Sequence, residues 1–174
     1  TGHVQNSIVI GMQSRLQPIK DHPTLVRAFG LIKEKFPGYS ISLQIAGDGV
    51  TMSAIETVIK ELGLQDSVKM HGMLNSSELV SFMQSLDIYV HATFGETLSN
   101  SIMQAMACGL PIVSANVWGV SNMIKNGETG LLYESGNARQ LAELLEQLIN
   151  DVEKRKKLGS AARIFAENNY SDEV

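Results

Sequence analysis

The chain has 174 residues, 44% of them hydrophobic and 18% charged, with a formal net charge of -4. That length supports one domain with a sizeable core, and the negative balance argues against a nucleic-acid groove. A single cysteine, Cys108, excludes an internal disulfide and fits a reducing, cytoplasmic compartment, and no apolar run approaches the roughly 20 residues that span a membrane.

The start, Thr1-Gly2-His3-Val4, is not a signal peptide and lacks an initiator Met, so a piece cut from a longer protein is expected, truncated at its C-terminal end as well. The missing part has room for a membrane-binding or targeting segment. Ser7 to Met12 is a short apolar run and reads as a buried strand. Pro23 opens a helix in which Leu25, Val26, Phe29, Ile32 and Phe36 recur at helical spacing, and Pro37-Gly38 closes it. Tyr39 to Ala46 reads as a second strand ending at Gly47-Asp48-Gly49, followed by a helix from Met52 to Leu62 capped by Gly63. Val68 to Met70 is a short strand before Gly72, and Ser76 or Ser77 caps a helix running to about Leu86. Asp87 to His91 is a strand. A helix from Asn100, a strand after Pro111, a short helix at Val120 to Lys125 and a strand at Gly130 to Tyr133 follow. Helices at Ala138 to Ile149 and Val152 to Asn168 close the chain. Strands separated by helices predict parallel crossovers and a doubly wound α/β sheet of about six strands, with ligands outside the carboxyl ends of the strands.

That rule selects three loops, all expected on one edge of the sheet. The first carries Arg15 and Lys20, a planar donor fork and a point charge suited to phosphate oxygens. The second is Gly47-Asp48-Gly49, where backbone approaches closely. The third runs through Glu96 to a helix N-terminus, where free N–H groups favour anions. On that helix Asn100 and Gln104 are four apart and share a face, while Ile102, Met103 and Met106 read as core. Taken singly, each signal has a plainer meaning. Arg15 and Lys20 read as solvated charges, Gly47-Asp48-Gly49 as a turn, Glu96 as a favourable helix-end charge, and Asn100 with Gln104 as an exposed stripe. His71 and His91 lack partners at metal spacing, so no metal is assigned. No Gly-x-Ser-x-Gly elbow, Walker loop or Gly-x-Gly-x-x-Gly after the first strand is present, which weighs against hydrolase, phosphate-loop and nicotinamide chemistry.

Jointly the motifs are far more specific. Ser14-Arg15-Leu16 with Lys20-Asp21, Ile45-Ala46-Gly47-Asp48-Gly49 and Val68-Lys69-Met70-His71-Gly72 occur in that order. Glu96 to Pro111, with Ala105-Met106-Ala107-Cys108-Gly109, and Asn126-Gly127-Glu128-Thr129-Gly130-Leu131-Leu132 complete the set. The chain thereby resembles the C-terminal, nucleotide-sugar-binding domain of the retaining glycosyltransferases of family 4, also called glycosyl transferases group 1. The resemblance covers nearly the whole chain. It implies a Rossmann-like domain, one half of a two-domain GT-B enzyme whose N-terminal acceptor domain is absent. It also implies transfer of a sugar from a nucleoside diphosphate sugar to a glycan or lipid-linked acceptor hydroxyl, with no metal or other cofactor. The transferase would be of the hexosyl type, and the isolated domain inactive.

By the same resemblance Arg15 and Lys20 bind the donor diphosphate and stabilise the leaving group, and Glu96 accepts hydrogen bonds from the donor sugar. N–H groups near Leu98, Ser99 and Asn100 add a phosphate site, and Thr97 is counted among the donor-binding residues. Gln104 stands where the family has a second Glu on the ribose, Gly47 is counted among the donor-binding residues, and the base lies near Met70, His71 and Gly72. The departures are Gln104, Ser14 for Gly, Val50 for Pro, and Trp118-Gly119-Val120-Ser121-Asn122 for Gly-Gly-Val-Pro-Glu. Trp118 reads either as a residue of the cleft, narrowing it or touching donor or acceptor, or as a buried loop anchor. Two acidic positions have become amides, Gln104 and Asn122, so a non-catalytic nucleotide-binding module stands as the alternative, with a GT-B nucleotide-sugar epimerase as a second.

Overall fold

The computed structural model describes residues 7–170. The chain start at Thr1 to Val4 and the end at Val174, about which the sequence raised expectations, lie outside them. Six strands alternate with helices: β1 (Ser7–Gln13), α1 (His22–Lys35), β2 (Ser40–Ala46), α2 (Met52–Glu61), β3 (Val68–Gly72), α3 (Ser76–Gln84), β4 (Ile88–His91), α4 (Asn100–Ala107), β5 (Ile112–Ala115), β6 (Leu131–Tyr133), α5 (Ala138–Asn150) and α6 (Val152–Asn169). Every strand-to-strand pairing among the described residues is parallel and the sheet order is β3-β2-β1-β4-β5-β6. The order reverses between β1 and β4, the point at which such sheets open a crevice.

The central strands β4 and β5 are buried at every position, while the edge strand β3 has no buried residue and carries Lys69 and His71. On one face Ile10, Leu43, Val90 and Val113 meet Leu25 and Phe29 of α1, Ile55 of α2 and Leu145 of α5. On the other, Tyr89 and Ile112 meet Phe82 of α3, Ile102 and Met106 of α4 and Ala162 of α6. Neighbouring residues of one strand serve opposite faces, as the period of two requires.

Three local expectations are corrected. Asn75, not Ser76 or Ser77, caps α3: its side chain accepts from the Glu78 N–H while the Glu78 carboxylate accepts from the Asn75 N–H. Three consecutive cap-competent residues compete there, and Glu78 selects the one three positions before it. The helix foreseen over Val120 to Lys125 is a single 3-10 turn, Val120–Asn122, because the Thr129 hydroxyl takes the Lys125 N–H. Asp87 lies before β4 and fastens it to β1, its carboxylate accepting from the Val9 N–H at 2.8 Å.

Candidate functional site

The loop after β1 and the loop after β4 are laced together at the switch point. The Asp21 N–H donates to the Ala92 carbonyl, the Phe94 N–H to the Ile19 carbonyl, and Lys20 and Thr93 form an antiparallel bridge. The Thr93 hydroxyl, fully buried, donates within the same junction to the Ile19 and Gly95 carbonyls. Side chains 76 residues apart in sequence are thereby brought together: Lys20 Nζ donates to Glu96 Oε2 at 2.5 Å. The same oxygen accepts from His91 Nε2 at 3.0 Å.

His91 stands at the carboxyl end of β4 with no exposed surface. Burial lowers its pKa, against the pull of Glu96, so the ring is neutral and its proton sits on Nε2 facing the carboxylate. Glu96 is held down to about 2, first by the His91 hydrogen bond and then by the Lys20 ammonium, with partial burial working the other way. The second carboxylate oxygen, Oε1, has no hydrogen bond among the described residues. Ile19, Lys20, Phe94, Glu96, Thr97 and Trp118 line an open cleft of about 430 Å³ here.

Beside the cleft α4 begins. Ser99 is its N-cap, its hydroxyl accepting from the Ile102 N–H at 3.1 Å. The Leu98, Ser99 and Asn100 N–H groups have no partner among the described residues. The loop backbone is pinned from behind by Gly119, at φ 93°, where a Cβ would lie 2.1 Å from the Glu96 carbonyl oxygen.

Arg15 and Gly47 meet in a second, smaller concavity of about 100 Å³, with Ser14, Asp48, Met73 and Leu79, which shares no lining residue with the cleft. Arg15 is exposed and makes no hydrogen bond or ion pair from its side chain among the described residues. Gly47 is obligatory: its φ is 128°, and a Cβ would lie 1.8 Å from the Ser14 carbonyl oxygen. Its N–H donates to the Gly72 carbonyl at 2.8 Å, tying the ends of β2 and β3 together.

Two more expected site residues stand apart from the cleft. His71 donates to Gln44 Oε1 at 2.7 Å and lies edge-on to Phe82, in a separate depression under α3. Gln104 lines an apolar pocket of about 290 Å³ between α3 and α4, with Met83 and Cys108, and its Oε1 is buried without a partner among the described residues. Leu79 lines both this pocket and the Arg15 concavity, so the two adjoin. The polar stripe read on α4 is therefore split: Asn100 is exposed and Gln104 turns toward α3.

Sequence reasoning missed His91, dismissed for want of metal partners. Its signal was available, a histidine ending an apolar strand five residues before the loop carboxylate. Of the two readings of Trp118 the buried anchor fails: the side chain is 76% exposed at the rim of the cleft. Among the described residues no three His, Cys, Asp or Glu converge as a metal site, and no helix is long and apolar enough to cross a membrane.

The family model of glycosyl transferases group 1 matches residues 1–165. The chain is 31% identical over 165 residues to D-inositol 3-phosphate glycosyltransferase of Paenarthrobacter aurescens, covering 94% of this chain and 40% of that protein. It is 29% identical to the capsular polysaccharide biosynthesis glycosyltransferase CapM of Staphylococcus aureus, covering 98% of this chain and 44% of the relative. Its fold superposes on Anabaena Alr3699/HepE, crystallised in complex with UDP and glucose, with a TM-score of 0.87 and 26% identity, over 96% of this chain and 45% of the other. The chain thus spans less than half the length of each.

Proposed function

The chain belongs to the glycosyl transferases group 1, and from that premise we propose that it is the donor-binding half of a retaining glycosyltransferase of GT-B architecture. The donor is a nucleoside diphosphate sugar, and the acceptor is a hydroxyl on a glycan or lipid-linked carrier held by an N-terminal domain. The observation that carries this reading is the Lys20–Glu96–His91 cluster at the β1/β4 switch point, next to unpaired N–H groups at the start of α4.

In this reading the diphosphate lies along the α4 N-terminus and between Lys20 and Arg15. Negative charge grows on the leaving diphosphate as the glycosidic bond breaks, and two fixed cations with oriented N–H groups favour that state most in a water-poor cleft. Lys20 then exchanges part of its contact with Glu96 for a phosphate oxygen. Glu96, kept anionic by His91, presents Oε1 to donor-sugar hydroxyls, where charge-assisted bonds are roughly twice as strong as neutral ones. Gln104 takes the ribose and the backbone near His71 and Gly72 takes the base. No metal or organic cofactor is proposed, since Arg15 and Lys20 supply the counter-charge. The UDP-bound HepE structure supports a uridine nucleotide as the first candidate.

A thermal-shift titration with UDP, GDP, ADP and TDP and their sugars, with and without Mg²⁺, tests this. A ligand at about 100 times its dissociation constant adds roughly 2.7 kcal/mol to the folded state. The expected result is a saturable shift with one base, lost in Arg15→Ala and in Lys20→Ala. No shift with any nucleotide at millimolar concentration overturns the donor site in this chain. A shift without transfer by the full-length protein favours the non-catalytic module, to which the amides Gln104 and Asn122 point.

A further inference from the structure

We propose that Trp118, with Ile19 and Phe94, forms an apolar platform for the C–H face of a saccharide ring, seated beside the Glu96 carboxylate. The placement in a sugar-handling cleft rests on the proposed function; the platform itself rests on local geometry. Fully burying a tryptophan removes some 150–250 Å² from water, yet this one, the only tryptophan of the chain, is 76% exposed. Its exposure is not that of a loose loop. Val117 before it packs against both core clusters, and Gly119 after it is buried with its backbone against the Glu96 and Thr97 carbonyls. The indole is therefore held out over the cleft by two anchored neighbours. Ile19 and Phe94, also exposed, line the same cleft and add to its apolar surface.

The chemistry points to a sugar. A pyranose presents hydroxyls around its rim and a patch of C–H groups on one face. The cleft offers the complement of both: the unpaired Oε1 of Glu96 for hydroxyls, and an indole with two apolar side chains for the C–H face. Two rings have this chemistry, that of the donor and that of the acceptor, and the test separates them.

Wild type, Trp118→Ala and Trp118→Phe are titrated calorimetrically with UDP, with UDP-glucose, and with maltotriose in the presence of UDP. Trp118→Ala is expected to weaken one of the two sugar ligands about tenfold while UDP alone is unchanged, and Trp118→Phe to stay within about threefold of wild type. A loss confined to UDP-glucose assigns the platform to the donor ring, and a loss confined to maltotriose assigns it to the acceptor. Equal affinities of Trp118→Ala and wild type for both overturn the platform, as does an equal loss of UDP itself. If no nucleotide binds the wild type, the donor reading fails by itself. The platform is then decided by Trp118 fluorescence against maltotriose alone: saturable quenching upholds it, and a flat titration overturns it.

Discussion

Glu96 keeps its charge because two donors converge on one oxygen, and the partner that does most is a histidine kept neutral by burial. His22 is the second histidine of the junction, buried 3.1 Å from the Ser14 hydroxyl, its pKa lowered to about 4 chiefly by burial. Protonating it is easy in the unfolded chain, at 6.5, and hard in the fold. The unfolded state therefore binds more protons between those values, so this contribution is fully present above pH 6.5 and is lost as pH falls through about 4. Glu96 follows the same sign lower down, between its ordinary 4.5 and about 2. Urea midpoints measured from pH 7 to pH 4 are expected to fall, with a shallower fall in His22→Gln; parallel slopes would refute the assignment. At Gln104 the unpaired Oε1 adjoins the Arg15 concavity through Leu79. If it meets the ribose, Gln104→Glu replaces a neutral hydrogen bond by a charged one and tightens nucleotide binding about fivefold. Unchanged affinity by calorimetry removes Gln104 from the site.

At the scale of elements, the site depends on junctions between loops more than on any one helix. The loops after β1 and β4 are fastened by backbone hydrogen bonds, and the loop after β5 supports the second of them through Gly119. Gly119→Ala places a Cβ against the Glu96 and Thr97 carbonyls at a positive φ. It is expected to lower stability by about 2 kcal/mol or more. Because Trp118 moves with it, the emission maximum of that residue should shift as well. Chemical denaturation followed by fluorescence reads both, and wild-type values would show that the loop tolerates displacement. α3 shows how much of an element boundary was readable: the capping-box partner Glu78 was in the sequence, and Asn75 could have been chosen from it.

At the scale of the molecule, one parallel sheet carries a core on each face and opens its crevice where the strand order reverses. A transferase must bring donor and acceptor together, and holding both accounts for a large part of such catalysis. The chain spans about two fifths of its relatives. It is therefore expected to bind the nucleotide yet release no diphosphate above the buffer rate when given donor and acceptor sugar; measurable turnover by the 174 residues alone would contradict the division of labour. What the sequence determined by itself was local and ordered along the chain. Apolar runs punctuated by Gly and Pro gave away nearly every strand and helix, and the motif around Glu96, with its Arg15 and Lys20 companions, marked the family. Those signals are legible because they act through neighbours a few residues apart. Only the tertiary structure decided that Lys20 and Glu96 touch, that His91 lies under them, that Gln104 turns toward α3 and that Trp118 stands exposed. Each of these depends on what packs against a side chain from a distant strand or loop, and no periodicity within one segment carries that information.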